Sequence, residues 1–179
     1  MTQDRRLKGA ELGTLTHYLM QIIDFWMEPT RAALDGWIGK LVREGYLTVE
    51  EGASVNRQWM LGFLASPICG RIRTSERVIR EGAFKLMIPA AEAGYASAGE
   101  GGRILLQGIV DCMFMEDGAW VLLDYKTDHI ESGKEAGLAE KYGIQLQWYK
   151  RAIESTTGIP VKEKLLFVMR TGTELLLLG

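Results

Sequence analysis

No run of apolar residues in this 179-residue chain reaches the ~18 that a membrane-spanning helix needs. Its start, MTQDRRLKGAEL, has no hydrophobic secretory region. Cysteine is scarce. Cys69 and Cys112 stand far apart and fit no CxxC spacing, which excludes a four-cysteine iron–sulfur or structural zinc site and points to a reducing compartment. Neither sign of charge dominates: 21 Lys and Arg against 23 Asp and Glu leave a net charge of −2. That balance does not argue for nucleic acid. It does not argue against it either, because bound cations and a local basic patch can serve phosphates on a protein that is not basic overall. The phosphate-cradling GxxxxGK(S/T) loop is missing, so no P-loop ATPase lies in this chain. The GxSxG elbow and the HExxH zinc helix are missing too, and there is no internal repeat or low-complexity tract. What remains is ordinary in bulk: 47% apolar and 25% charged residues describe one domain with a substantial core.

The chain is organised around Gly108–Asp128, GIVDCMFMEDGAWVLLDYKTD. Two apolar and β-branched runs, Ile109–Met115 and Ala119–Tyr125, flank Asp117-Gly118. Asp-Gly between strand-like runs predicts a two-residue hairpin, because a type I′ turn needs φ > 0 at both central residues. The turn sets the register. Residues whose numbers add to 235 face each other, so Asp111 lies opposite Asp124, with Cβ atoms roughly 4.5–5.5 Å apart. Alternation puts Lys126 on the same face as Asp124. Facing carboxylates destabilise a sheet unless a proton, a cationic partner or a metal accompanies them. The apolar Val121, Leu122 and Leu123 place the hairpin in the interior, where the cost is larger. Two readings follow: an Asp–Lys–Asp salt-bridge cluster at a strand end, or a divalent-metal site with a cationic catalyst beside it. Hard oxygen ligands favour Mg²⁺ or Mn²⁺ over Zn²⁺.

The rest of the chain supplies layers around this hairpin. Gly9–Met27 reads as a helix, with Leu12, Leu15, Leu19, Ile22, Ile23 and Trp26 at helical spacing; His17 and Gln21, four apart, share a face away from the centre of that stripe. A lone helical His is ordinarily a surface or satisfied residue. Pro29 opens a second helix, about Thr30–Glu44, stopped by Gly45. Thr48-Val-Glu-Glu has the pattern of a capping box and starts a third helix to about Ala65, broken by Pro67. Arg71–Arg80 holds four arginines in ten residues, read either as a solvated edge or as phosphate contact. Arg77–Ile88 is a predicted strand carrying Glu81. Ala90–Gly102 is a turn or mobile loop, and Arg103 begins the first strand of the hairpin. Thr127–Gly137 is a loop, Leu138–Thr157 a helix ended by Gly158 and Pro160, and Lys164–Arg170 and Glu174–Leu178 form a final hairpin about Thr171-Gly172. The expected organisation is therefore one domain over residues 1–179: helical at 9–66, sheet core at 77–126, helix at 138–157, C-terminal strands at 163–178. This is an α/β fold with a mixed sheet flanked by helices and an N-terminal helical segment. The last run, LLLLG, ends as in a domain cut from a longer polypeptide, while the Met start leaves a small stand-alone protein open.

GIVD followed by DYKTD resembles the core of the PD-(D/E)XK nucleases, nearest to the nuclease domains of the AddA/RecB-type helicase–nucleases, on the AddA side. Three more pieces agree. Gly13-Thr14-Leu15-Thr16-His17 with Gln21 resembles that branch's GTxxH helix motif, Arg80-Glu81 before Phe84 its RE-x-x-F strand, and Tyr142-Gly-Ile-Gln145 through Tyr149 its YxxQxxxY helix. The matches run in order from residue 13 to 149. The Gly-Ile-Val before Asp111 lacks the Pro of the superfamily name, and the Gly form is usual in this branch. The related iron–sulfur branch carries a cysteine set that two cysteines cannot supply.

The resemblance implies a restriction-endonuclease-like fold and hydrolysis of DNA phosphodiester bonds with Mg²⁺ or Mn²⁺, in double-strand-break repair. It implies His17, Asp111, Asp124 and the Tyr125 carbonyl as metal ligands. Asp111, Asp124 and Lys126 would be the catalytic set, with Lys126 orienting or deprotonating the attacking water or steadying charge on the phosphate. Gln145 and Tyr149 would position nucleic acid or the lysine; Arg80, Gln21 and Glu81 would contact nucleic acid or support the ligands. Implied partners are DNA, single-stranded or end-containing and with attack on the 3′-terminated strand, a helicase domain in the same polypeptide and a second protein of the complex, in the bacterial cytoplasm and away from membranes. The competing readings are a non-catalytic module that binds nucleic acid or docks on a helicase, and a stand-alone PD-(D/E)XK exonuclease.

Overall fold

The computed structural model of the chain describes residues 7–93, 102–128, 134 and 136–178. Much of the loop expected at Ala90–Gly102 and of the polar segment Thr127–Gly137 lies outside them. Six helices and five strands are present among the described residues: α1 (Ala10–Ile22), α2 (Arg31–Arg43), α3 (Val49–Ser54), α4 (Arg57–Leu64), α5 (Pro67–Thr74), β1 (Arg77–Pro89), a 3₁₀ turn (Ala90–Ala93), β2 (Arg103–Glu116), β3 (Ala119–Lys126), α6 (Ala136–Thr157), β4 (Val161–Val168) and β5 (Thr173–Leu176). The strands form one sheet in the order β1-β2-β3-β4-β5. β1 and β3 both pair antiparallel with β2. β3 and β4 run the same way, since the Trp120 amide donates to the Pro160 carbonyl and the Met169 amide to the Lys126 carbonyl. The sheet is mixed, as expected, and α6 is the crossover that a parallel pair requires. No helix among the described residues is long and apolar enough to cross a membrane.

Two compact units divide the chain. The first comprises Met1–Ser75, Tyr125–Glu135 and Leu166–Leu175. Its helices start where the sequence offers caps. Thr30 accepts from the Ala33 amide, Asn56 from Trp59 and Ser66 from Cys69, and Thr48 and Glu51 close a capping box. The long third helix expected to Ala65 is two helices, because Val55 is not helical and Asn56 caps a new start. A helix does end ahead of Pro67, at Leu64, but the proline also begins another. It sits in the first turn of α5, where its missing amide costs nothing. Phe63 of α4 is fully buried and meets three rings: Phe25, Tyr125 and Phe167, with centroids 5.4, 5.4 and 5.1 Å away.

The second unit comprises Glu76–Asp124, Ala136–Leu165 and Leu176–Gly179. β1 and β2 pair from Arg77–Met115 to Pro89–Arg103. The β2–β3 turn has Asp117 at φ 52° and Gly118 at φ 72°, the left-handed pair that a type I′ turn requires. Lys162 holds this turn through Glu116 at 2.7 Å and Asp117 at 2.8 Å.

Phe63→Ala should cost about 3–5 kcal/mol by emptying the ring cluster, read as a drop in the urea midpoint. Gly118→Val should cost about 1–2 kcal/mol, because a side chain resists the left-handed conformation. A Gly118→Val protein as stable as the parent would mean that the turn is not the one described.

Candidate active site

The hairpin pairs as its turn dictates. Cys112 faces Leu123, Met113 Leu122, Phe114 Val121, Met115 Trp120 and Glu116 Ala119, the register that sets Asp111 opposite Asp124 at the next step. The ladder stops just there. β2 and β3 both continue past Cys112 and Leu123, but their pairing does not. Facing carboxylates repel, and the ladder ends at the level where they face. Asp124 is only 3% exposed and Asp111 is half-buried.

The other neighbour of Asp111 is disturbed at the same level. β1 and β2 pair at Arg80–Cys112 and at Gly82–Val110 but skip Glu81 and Asp111. Glu81 has φ 52°, a conformation costing a non-glycine residue about 1–3 kcal/mol. The shared level of Glu81 and Asp111 does not make a closed cage. Among the described residues, no group of three or more His, Cys, Asp and Glu side chains gathers tightly enough to hold a metal by itself. Arg80, beside Glu81, is half-buried.

From α6, Tyr149 feels the charges of both aspartates, and Gln145 is bonded to it. They are one helical turn apart, and the Gln145 amide donates to the Tyr149 oxygen at 2.5 Å. Burial pushes the Tyr149 phenol above its ordinary range. The Gln145 hydrogen bond acts the other way, and the nearby carboxylates of Asp124 and Asp111 raise it further. The phenol therefore stays protonated at neutral pH. With the Gln145 N–H on its oxygen, its own proton is left to donate.

The remaining expected residues belong to the first unit. His17 on α1 lies edge-on to Tyr125, with ring centroids 6.4 Å apart, and Gln21 follows one turn later, half-buried. Tyr125 and Lys126 end β3, where the Lys126 carbonyl accepts from the Met169 amide at 2.9 Å. Two residues here carry more than the sequence revealed. A Cβ on Gly13 would stand 3.0 Å from the Thr127 hydroxyl oxygen, so α1 approaches the end of β3 through a missing side chain, and His17 sits one turn beyond Gly13 on the same face. The signal was present in the first residue of GTxxH and the Thr of DYKTD. Thr127 is held again by Arg170, which donates to its carbonyl at 3.1 Å and stacks 4.8 Å over Trp59.

Of the arginine run, two members are committed to structure. Arg73 donates to the carbonyls of Phe25 and Leu64 at 2.5 and 2.8 Å, and Arg77 lies 5.9 Å over Trp120.

A divalent cation fits the donor chemistry of the aspartate pair. Mg²⁺ is ordinarily held by one or two carboxylates, with water and substrate phosphates completing its shell, rather than by an all-protein cage.

A family model described as the PD-(D/E)XK nuclease superfamily matches residues 1–175. Curated relatives carry the name of the first, or A-type, component of an ATP-dependent helicase/nuclease. The one from Heliobacterium modesticaldum is 37% identical over 182 residues, covering 99% of this chain and 13% of its own length. Its namesake in Clostridium novyi is 38% identical over 172 residues, covering 94% of this chain and 14% of its own, and that of Geobacillus thermodenitrificans is 35% identical over 175, covering 92% and 14%. The chain thus spans about one seventh of the length of these relatives. A match of this extent leaves one assignment: the chain belongs to the PD-(D/E)XK nuclease superfamily.

Proposed function

We propose that this chain is the nuclease domain of an ATP-dependent helicase–nuclease and hydrolyses DNA phosphodiester bonds with a divalent cation, Mg²⁺ or Mn²⁺, held at Asp111 and Asp124. The observation that carries the reading is the end of the β2–β3 ladder where these aspartates face. Such an arrangement costs stability as plain structure and is relieved by a cation. Membership of a nuclease superfamily and relatives named as helicase/nuclease components support it.

In this reading His17 and the Tyr125 carbonyl complete the protein's share of the ligands. A bound cation would acidify water and neutralise charge growing on the phosphate. The chain's own groups do the rest. Lys126, on the Asp124 face by strand alternation, orients the attacking water or steadies the phosphate. The protonated Tyr149 donates a hydrogen bond toward the same region, with Gln145 fixing its direction. Arg80 contacts the nucleic acid backbone, and Glu81 and Gln21 support the ligands. The partners proposed are a DNA strand with a free end, a helicase portion in the same polypeptide and a second protein of the complex, in the bacterial cytoplasm.

The purified chain should cut single-stranded DNA with Mg²⁺ or Mn²⁺ and bind either ion by calorimetry. Asp124→Ala and Lys126→Ala should each lose about 100-fold or more in rate while circular dichroism stays unchanged. A wild-type chain that neither cuts nor binds sinks the reading. His17→Ala should weaken ion binding about tenfold or more; unchanged affinity removes His17 from the ligand set. Mg²⁺ should raise the melting temperature of the wild type, since an ion that binds only the folded state stabilises it, and should leave Asp124→Asn unmoved. A plain salt-bridge cluster predicts the opposite pattern: the variant melts lower and the ion shifts neither protein.

A further inference from the structure

Tyr149 has a task in the proposed reaction, and that task requires a phenol held in one place. Gln145 touches only its oxygen. The ring is gripped elsewhere. Phe84 on β1 meets it edge-on, with centroids 5.2 Å apart and planes at 65°. Phe84 is 5% exposed and Tyr149 9%, so the contact is shut off from water, and edge-to-face pairs of this kind prefer one geometry over others.

Phe84 in turn lies on a gap in β2. Its register partner is Gly108. A Cβ added at Gly108 would stand 2.7 Å from Phe84 Cζ, 2.9 Å from Phe84 Cε1 and 3.4 Å from Tyr149 Cε1. The first two separations are shorter than packed carbon atoms tolerate, so any side chain at 108 lifts the Phe84 ring and, through it, crowds Tyr149. Gly108 does not need glycine's backbone freedom: it lies within a regular ladder, between Leu86–Leu106 and Gly82–Val110. Its lack of a side chain serves space alone, the arrangement in which an aromatic ring covers a cross-strand glycine.

We infer that Gly108 and Phe84 form a seat that holds the Tyr149 phenol in place for the task proposed above, which makes both positioning residues for the reaction. The inference rests on the nuclease reading above for the task of Tyr149, and on geometry alone for the seat. Volume at position 84 is not enough; what matters is a flat ring on a bare stretch of strand.

The test uses Phe84→Leu, which nearly conserves volume, with Tyr149→Phe, the double variant and Gly108→Ala, in the 179-residue chain. Circular dichroism confirms folding in each. Two readouts are taken: kcat and KM for single-stranded DNA with Mn²⁺, and nitration of Tyr149 by tetranitromethane, mapped by mass spectrometry. Tyr149→Phe should lower kcat about tenfold, the worth of one hydrogen bond. Phe84→Leu and Gly108→Ala should lower kcat by a similar factor with KM little changed. The double variant should be no slower than Tyr149→Phe, since Phe84 acts through a phenol already removed. Tyr149, slow to nitrate in the wild type, should nitrate several-fold faster in Phe84→Leu and Gly108→Ala. Additive losses in the double variant overturn the positioning role, and an active wild type whose Tyr149 nitrates no faster in either seat variant overturns the seat. A wild type that cuts no DNA sinks the nuclease reading, and the positioning role with it, whatever the nitration result.

Discussion

The structure depends first on a repulsion that it builds and then accommodates. A tight Asp117-Gly118 turn with both residues at positive φ leaves the hairpin a single register. That register brings two carboxylates level on neighbouring strands. A one-residue slip would send every side chain of β3 to the opposite face, and it would have to pull Asp117 or Gly118 out of the left-handed turn. The carboxylates thus cannot escape by sliding. Relief comes by ending the ladder at Cys112–Leu123, and the strained backbone of Glu81 marks the same level on the other side of β2. Backbone strain and the end of a ladder thus coincide at one level of the sheet.

Two glycines act through the space they leave. Gly13 lets α1 close on Thr127, and Gly108 lets the Phe84 ring lie on β2. One belongs to the unit that carries His17 and Lys126, the other to the unit that carries the aspartates. In each, the missing side chain admits a neighbouring side chain that a methyl group would crowd. The bulk of the first unit, in contrast, is held by ordinary ring packing about Phe63, and its polar demands are met by caps and by Arg73 on the carbonyls of Phe25 and Leu64.

Local chemistry makes much of this legible in the sequence. Asp-Gly between β-branched runs specifies turn, hairpin and register, because all three are consequences of residues within a few positions of one another. The capping box at Thr48 and the stop at Gly158 are readable for the same reason. Where expectation and structure part, a local rule has two outcomes. Proline can follow the end of a helix or begin one, and Pro67 does both: α4 ends at Leu64 ahead of it, and Ser66 supplies the cap with which it begins α5. The apolar spacing across Val55 and Trp59 suits one long helix. The chain instead restarts at Asn56, a cap whose preference periodicity does not register. The four arginines form one group in sequence only, since Arg73 and Arg77 have separate tasks that depend on distant carbonyls and a distant ring.

The sequence by itself therefore determined the hairpin, its facing aspartates and the ordered motifs that bind this chain to its superfamily, since these rest on backbone preference and on spacing along the chain. Only the tertiary structure decided that the ladder ends at the aspartates, that Glu81 adopts a left-handed backbone beside them, and that Phe84 on Gly108 grips Tyr149. The last of these arises from exclusion between segments far apart in sequence. The space available to a side chain exists only once both segments are in place.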